Sequence, residues 1–408
     1  MHDPAHIDIA LSGARPKAVA ALLRYFRDLD TAEEAFQEAC LRALQTWPRK
    51  GLPLNPTAWL VTVGRNSALD GRRRNRSTGP LPDADTLGDA RDDPTAEGHD
   101  ESHYPDDILR LLFVCGHPTL PPTQQIALAL RIVSGLTVEQ IARAFIVSPA
   151  ALEQRITRAK QAIAQIGVEF ETPGTAERHT RLTTVSTMVY LIFNEGYGST
   201  PDSAAARAAL ADEAIRLGRL LLSLFPTDPE VFGLLALMLL QQSRAPARFD
   251  TDGEIVLLDE QDRSLWNRAF IDEGRLLLER AARYQSPGPY QLQAAIAALH
   301  ACATGPQDTS WREIDSLYQA LEALQPSPVT TLNRAVAVWK LQGPEAALRM
   351  IDPLKTELDG YFYFHGLRGT LLKQLNRAYE ARQALTRAIA LANSVAEANL
   401  IRRELDRL

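Results

Sequence analysis

The sequence predicts an all-α protein. Three observations carry this: apolar residues recur at helical spacing through most of the chain, Thr and Ser-Pro signals stand where helices should begin, and prolines punctuate the stretches between them. The helices group into two small modules joined by an acidic linker, followed by a C-terminal helical domain of repeat-like character. With 408 residues the chain has room for two to four domains, and 45% hydrophobic with 23% charged residues is an ordinary globular composition at a net charge of -6. No apolar run approaches the ~18 residues that a bilayer span needs, the longest, Val231 to Leu240, reading as a buried helix. The opening MHDPAHIDIALSG lacks the basic and then apolar order of a secretory signal, so a cytoplasmic protein is expected. Cys40, Cys115 and Cys302 form no C-x-x-C pair and are expected to be buried small hydrophobes.

In chain order, Pro16 to Leu29 and Thr31 to Trp47 predict a pair of helices. In the second, Ala32, Ala35, Phe36, Ala39, Cys40, Ala43 and Leu44 share one face, and Thr31 with Glu34 has the spacing of a capping box. The other face carries Glu33, Glu34, Gln37, Glu38 and Arg42. Acids first and arginine late suit the helix dipole in a water-facing row, and also suit a docking surface for a basic partner. After the loop PRKGLPLNP a helix from Thr57 has Trp59, Leu60, Val63, Ala68 and Leu69 on its apolar side. From Arg65 to Arg76 it carries Arg65, Arg72, Arg73, Arg74 and Arg76 against Asp70 alone, a net of +4 that favours phosphate contacts over a merely solvated end.

From Asp83 to Asp107 ten acids face one arginine, a net of -9, among proline, glycine, serine and threonine. Such a segment cannot bury enough apolar surface to fold and is expected to be a flexible linker. His99 and His103 lie in it without a metal-ligand frame, so no metal is expected.

Ile108 to Cys115 and Pro121 to Val133 then lead into LTVEQIARAFIVSPAALEQRITRAK, residues 136–160. Thr137 caps a helix in which Val138, Ile141, Ala142 and Phe145 recur; Ser148 and Pro149 start another, with Leu152, Ile156, Ala159 and Ile163 buried. Ala151, Gln154, Arg155 and Arg158 are left on the opposite face. This is a helix-turn-helix pattern, whose second helix enters the major groove. Between Arg131 and Lys160 five basic residues stand against two acidic ones, +3 in a chain of -6.

These motifs, in this order, resemble an RNA polymerase sigma factor of the extracytoplasmic-function type over about residues 16 to 166: AEEAFQEACLRALQTWP, NPTAWLVTVGRNSALDGRRR, an acidic linker, LPPTQQIALALRIVSGLTVEQIARAF and a basic second helix. Phe145 followed by Ile146 and Val147, without glycine, is similar to the subgroup with a long helical C-terminal extension, and Tyr190 to Tyr197 looks like that extension's signature. The resemblance implies residues 1–76 as the module for core polymerase and the -10 element, 77–107 as linker, 108–168 as the -35 module and 169–408 as extension. It implies that Glu33, Glu34, Gln37, Glu38 and Arg42 dock on the clamp of the largest subunit, the second module meeting the flap. Trp59, Arg65, Asn66, Arg72, Arg73, Arg74 and Arg76 would hold the melted -10 strand, where flipping a base costs a few kcal/mol. Ser148, Ala151, Gln154, Arg155, Arg158 and Lys160 would contact the -35 element, and the acidic linker would imitate RNA in the exit path.

The extension shows a 34-residue register: Ala335, Leu341, Ala347, Ile351 and Leu354 align with Gly369, Leu375, Ala381, Leu385 and Ala388, a tetratricopeptide-like period. Arg248 to Gly253 with Asp259 has calcium-loop spacing, but a cation in the first ligand position favours an Asp-Gly turn between extended pieces. Asn194, Glu195 and Tyr197 read as a polar hydrogen-bond hub at a helix end. No cofactor or catalytic motif is expected. Two other readings stand beside the sigma factor. One is a helix-turn-helix regulator with a repeat-type sensor, which leaves the Trp59 to Arg76 module and the linker without a role. The other is an enzyme in the C-terminal half with Glu195 as acid or base. The extension itself is expected to bind a partner or ligand and to stand in for a separate anti-sigma protein.

Overall fold

The structure, a computed structural model, describes residues 4–74, 104–145, 147–166, 175–197 and 204–408. Most of the acidic linker, with His99 and His103, and Arg76 lie outside the described residues. All the regular elements described are helices, and the chain divides into two compact units, Met1–Ile192 and Phe193–Leu408.

The first unit begins with α1 (Pro4–Phe26), α2 (Leu29–Lys50) and α3 (Pro56–Arg74). They close around Val19, Leu22 and Leu23 of α1, Ala35, Phe36 and Ala39 of α2, and Leu60 and Val61 of α3, all buried. Two boundaries differ from the sequence expectation. α1 runs through Pro16 instead of starting there, because Ala14, Pro16 and Ala18 are themselves buried and packing holds the turn that lacks one N–H. α2 starts at Leu29, and its cap is Asp28, whose carboxylate accepts from the Thr31 amide at 2.8 Å, so Thr31 is not the capping residue. Leu44 also departs from its expected face: it is 50% exposed, since the buried stripe follows Phe36, Ala39, Ala43 and Trp47.

Helix α4 (Tyr104–Cys115) starts before the expected Ile108 and takes in Asp107. That carboxylate is buried, 3.5 Å from Arg24 and 3.3 Å from Arg110, so it belongs to the module and not to the linker. α5 (Pro122–Ile132), α6 (Val138–Ala144) and α7 (Pro149–Ile166) form a three-helix cluster, and α8 (Thr175–Tyr197) places Arg181 over the Phe113 ring.

In the second unit α9 (Ala204–Leu224), α11 (Arg268–Ala282) and α12 (Pro289–Cys302) surround α10 (Pro229–Gln242), whose ten residues Val231 to Leu240 are all buried. Asp228 caps α10, and Glu230 in its first turn accepts from the Tyr290 and Gln291 amides at 3.0 and 3.2 Å, capping α12 from outside. Beyond α13 (Trp311–Leu324) come α14 (Pro328–Gln342), α15 (Pro344–Ile351), α16 (Phe362–Gln374), α17 (Ala378–Leu391) and α18 (Val395–Asp406). α14 and α16 start 34 residues apart, as do α15 and α17, which is the period read in the sequence. Ala335, Ala347, Ile351, Ala381, Leu385 and Ala388 of that register are buried, while Leu341 stays exposed.

Between α10 and α11 an irregular segment carries the anticipated Asp-Gly turn. Phe249 bridges Ile255, Asp250 accepts from the Asp252 and Glu254 amides, and Gly253 has φ +78°, a conformation that suits glycine. Among the described residues no cluster of His, Cys, Asp or Glu could hold a metal ion, and no helix is long and apolar enough to cross a membrane. Only Cys115 is fully buried as expected of all three cysteines; Cys40 is half-buried, and Cys302, in the last turn of α12, is exposed. Burial pushes the Cys115 thiol up to about 12 and the Cys40 thiol up to about 11, so neither is a reactive thiolate at neutral pH.

Candidate nucleic-acid interface

Local sequence sets up α6 and α7. Thr137 and Gln140 form a reciprocal cap, the Thr137 hydroxyl accepting from the Gln140 amide at 3.2 Å and the Thr137 amide donating to Gln140 Oε1 at 2.8 Å. The Ser148 hydroxyl accepts from the Ala151 amide at 3.2 Å, and Pro149 follows as first helical residue. Leu152, Ile156, Ala159 and Ile163 are buried against α5 and α6, which fixes the roll of α7. Gln154 and Arg158 are therefore exposed, with Ala151 and Arg155 partly so, on the face away from the core. Small Ala151 beside long polar side chains allows close approach to a groove, with donors for base edges or phosphates.

α3 carries the second group. Asn55 caps it by accepting from the Ala58 amide at 3.0 Å, and Pro56 starts the helix. Trp59 is half-buried and packs edge-on against the buried Trp47 at 5.3 Å between ring centroids. Arg65 lies over the exposed Tyr25 ring at 5.8 Å, and Asn66 is half-buried one residue on. Arg72, Arg73 and Arg74 belong to the last turn of α3, their side chains outside the described part. Leu54, at the tip of the loop before α3, is fully exposed.

The polar row on α2 divides. Glu34 and Gln37 are exposed, Glu38 and Arg42 are half-buried and pair at 3.3 Å. Sequence reasoning missed two neighbours: Leu41 and Leu44 are 56% and 50% exposed, adding apolar area to this face. Their signal was available, since Leu41 follows Glu34 and Gln37 at helical spacing.

Glu33 departs from the expected water-facing row. Its side chain is 6% exposed and lies 3.2 Å from Arg131, 3.0 Å from Lys160 and 3.6 Å from Arg15. Lys160, expected among the DNA contacts, is held by Glu33 and, at 2.6 Å, by Asp30. Burial disfavours its charge, yet the hydrogen bonds to Asp30 and Glu33 outweigh this and hold the ammonium above its ordinary pKa. Arg15 donates to the Ile132 and Arg131 carbonyls at 3.1 and 3.0 Å, the end of α5; burial lowers its pKa against the pull of Glu33.

The expected hub at the end of α8 reduces to Tyr197. Arg248 lies over its ring at 3.9 Å and donates to its carbonyl, Arg244 donates to its hydroxyl at 3.1 Å, and Phe193 stacks on it. Asn194 and Glu195 point outward and are exposed, because the helix turns its buried side through Phe193 and Gly196.

Comparison with known proteins agrees with this geometry. The family model "Sigma-70 region 2" matches residues 13–78, "Sigma-70, region 4" matches 111–163, and "Family of unknown function (DUF6596)" matches 181–282. An uncharacterized protein of Rhizobium meliloti (strain 1021) is 62% identical over 410 residues, covering 100% of this chain and 97% of the relative. Two sigma-70 regions in order, on helices that carry a capped helix-turn-helix and a basic α3, lead to one assignment: the chain belongs to the sigma-70 factors, of the extracytoplasmic-function-like type with a C-terminal extension.

Proposed function

We propose that this protein binds core RNA polymerase and directs it to promoters through a -10 and a -35 element, melting the DNA at the first. The observation that carries the reading is the exposed face of α7, where Gln154 and Arg158 stand clear of a buried stripe fixed by the Ser148 cap. In this reading α7 reads the -35 element with Ala151, Gln154, Arg155 and Arg158. The α3 helix with Trp59, Arg65, Asn66 and the Arg72 to Arg74 run holds the -10 strand. Glu34, Gln37, Glu38 and Arg42, with Leu41 and Leu44, dock on the polymerase clamp.

The extension is a helical interaction domain that regulates this activity. Its helix pairs recur every 34 residues, which supports a tetratricopeptide-like array. Each pair buries its face only against its neighbours, so such arrays present extended surfaces to partners.

Arg155→Ala tests the assignment at α7. Measured by competition between promoter duplexes, it is expected to relax discrimination at one -35 position by ~1–3 kcal/mol. Uniform weakening on every sequence would make Arg155 a phosphate contact, and no effect would remove it from the interface.

A further inference from the structure

A cleft of about 440 Å³ opens in the extension where α12, α13 and α14 meet the Leu258–Glu260 turn, a volume in the range of small-molecule sites. All of it lies within the second unit. Ile314 and Ala337 form its buried lining, and half-buried Trp311, Tyr318, Val336 and Trp339 stand round them. His300, from the last turn of α12, meets the Trp311 ring edge-on at 5.3 Å between centroids. One charge is held in place at this lining. The Lys340 ammonium sits over two rings, 5.5 Å from the centre of Trp311 and 5.3 Å from that of Trp339. Trp339 is itself fixed, its indole N–H donating to Gln374 at 2.8 Å. Two ring faces both favour a cation and orient it.

The anion that faces Lys340 is less firmly held. Asp259, 2.8 Å away, comes from the middle of a single 3-10 turn and its side chain is 41% exposed; Glu260 on the same turn is exposed too. So open an ion pair is worth little, and the Asp259 carboxylate can turn to water at small cost. It occupies the place that an anion from solution would take. Burial, with Arg244 nearby, pushes the His300 imidazole down to about 4, so it is neutral at pH 7. Among the described residues that line the cleft, Lys340 alone then carries positive charge. We propose that this cleft binds a small organic monoanion, an aromatic carboxylate whose rings lie against Trp311 and His300 and whose carboxylate replaces Asp259 on Lys340. A dianion would meet no second cation in the lining. A cationic ligand would find the tryptophan faces already taken by Lys340 and would have only the exposed turn to pair with.

Isothermal titration calorimetry on the full chain tests this with naphthoate, neutral naphthamide and naphthylmethylammonium, one ring system with three different heads. The expected result is one-site binding of naphthoate, with the amide and the ammonium weaker by about tenfold or more. Lys340→Gln is expected to weaken naphthoate by a similar factor, whereas Asp259→Asn, which removes the competing carboxylate, is expected to tighten it severalfold. Both side chains reach the surface, so melting temperatures should stay at the wild-type value. The opposite signs set a specific site apart from general adsorption to apolar surface. No binding of naphthoate, equal affinity for the amide, or naphthoate binding that ignores both substitutions overturns the site. Tighter binding of the ammonium, lost in Asp259→Asn, would overturn the anion assignment and make the tryptophan pair a cation cage. None of these outcomes depends on polymerase or promoter, so the sigma reading stands or falls separately.

Discussion

Gly64→Ala is expected to destabilise the first module and to lower its melting temperature and, with it, promoter-specific initiation. Gly64 sits where α3 crosses α2, and a Cβ there would lie 2.8 Å from the Ala35 carbonyl oxygen and 3.2 Å from its carbon. The obstacle is backbone in the middle of a helix, which cannot swing aside as a side-chain end can. Leu22 of α1 closes the third side at 3.3 Å. Alanine gains ~1 kcal/mol of helix propensity. Overpacking a core costs ~1–3 kcal/mol, and with rigid backbone as the obstacle the upper end, about 3 kcal/mol, applies, so strain wins. A net loss of about 2 kcal/mol is a large share of a typical domain's 5–15 kcal/mol. Thermal melting followed by circular dichroism, with in vitro initiation, measures both consequences. Gly13→Ala is the control: it is also helical, nothing lies within 4 Å of its added Cβ, and it is expected to be neutral or stabilising.

Phe364→Ala is expected to cost ~3–5 kcal/mol, the range for deleting a buried aromatic ring. Phe364 is fully buried at the start of α16, in a cluster with Leu332 and Ala335 of α14, Leu348 and Ile351 of α15, and Leu371 and Leu372 of its own helix. The ring therefore belongs to two successive helix pairs at once. In an array stabilised by neighbours, losing it should loosen both. Hydrogen exchange should show lost protection across α14 to α17 together. Loss confined to α16 would mean that the pairs are not coupled through this core.

What the sequence disclosed, it disclosed through local spacing. The Leu152, Ile156, Ala159, Ile163 stripe and the Ser148-Pro149 cap are settled within one helix, and the structure keeps both. The 34-residue register is likewise a sum of local patterns. Glu33 was not legible because its partners lie elsewhere: Lys160 is 127 residues away, and no helical periodicity reports that an exposed row will be covered. Asp107 read as linker for a related reason: Arg110 lies three residues on in the same helix, but Arg24 meets the carboxylate only when α4 packs on α1. Leu44 was misplaced by ambiguity at the edge of a helical stripe, where a small rotation moves a side chain from core to surface. At the end of α8, Glu195 looked like a partner for an arginine, but both nearby arginines choose Tyr197, whose ring and oxygens they can engage together.

The property to be measured is promoter specificity conferred on core polymerase by this chain. Its most direct test is reconstituted transcription on genomic promoter fragments, with purified core polymerase alone and with the protein added, and start sites mapped. Transcripts with defined starts are expected only when the protein is present, with shared -10 and -35 elements upstream. No start-specific transcript, together with a footprint by the protein alone on duplex DNA, would contradict it and make the protein a regulator that acts without replacing a sigma factor.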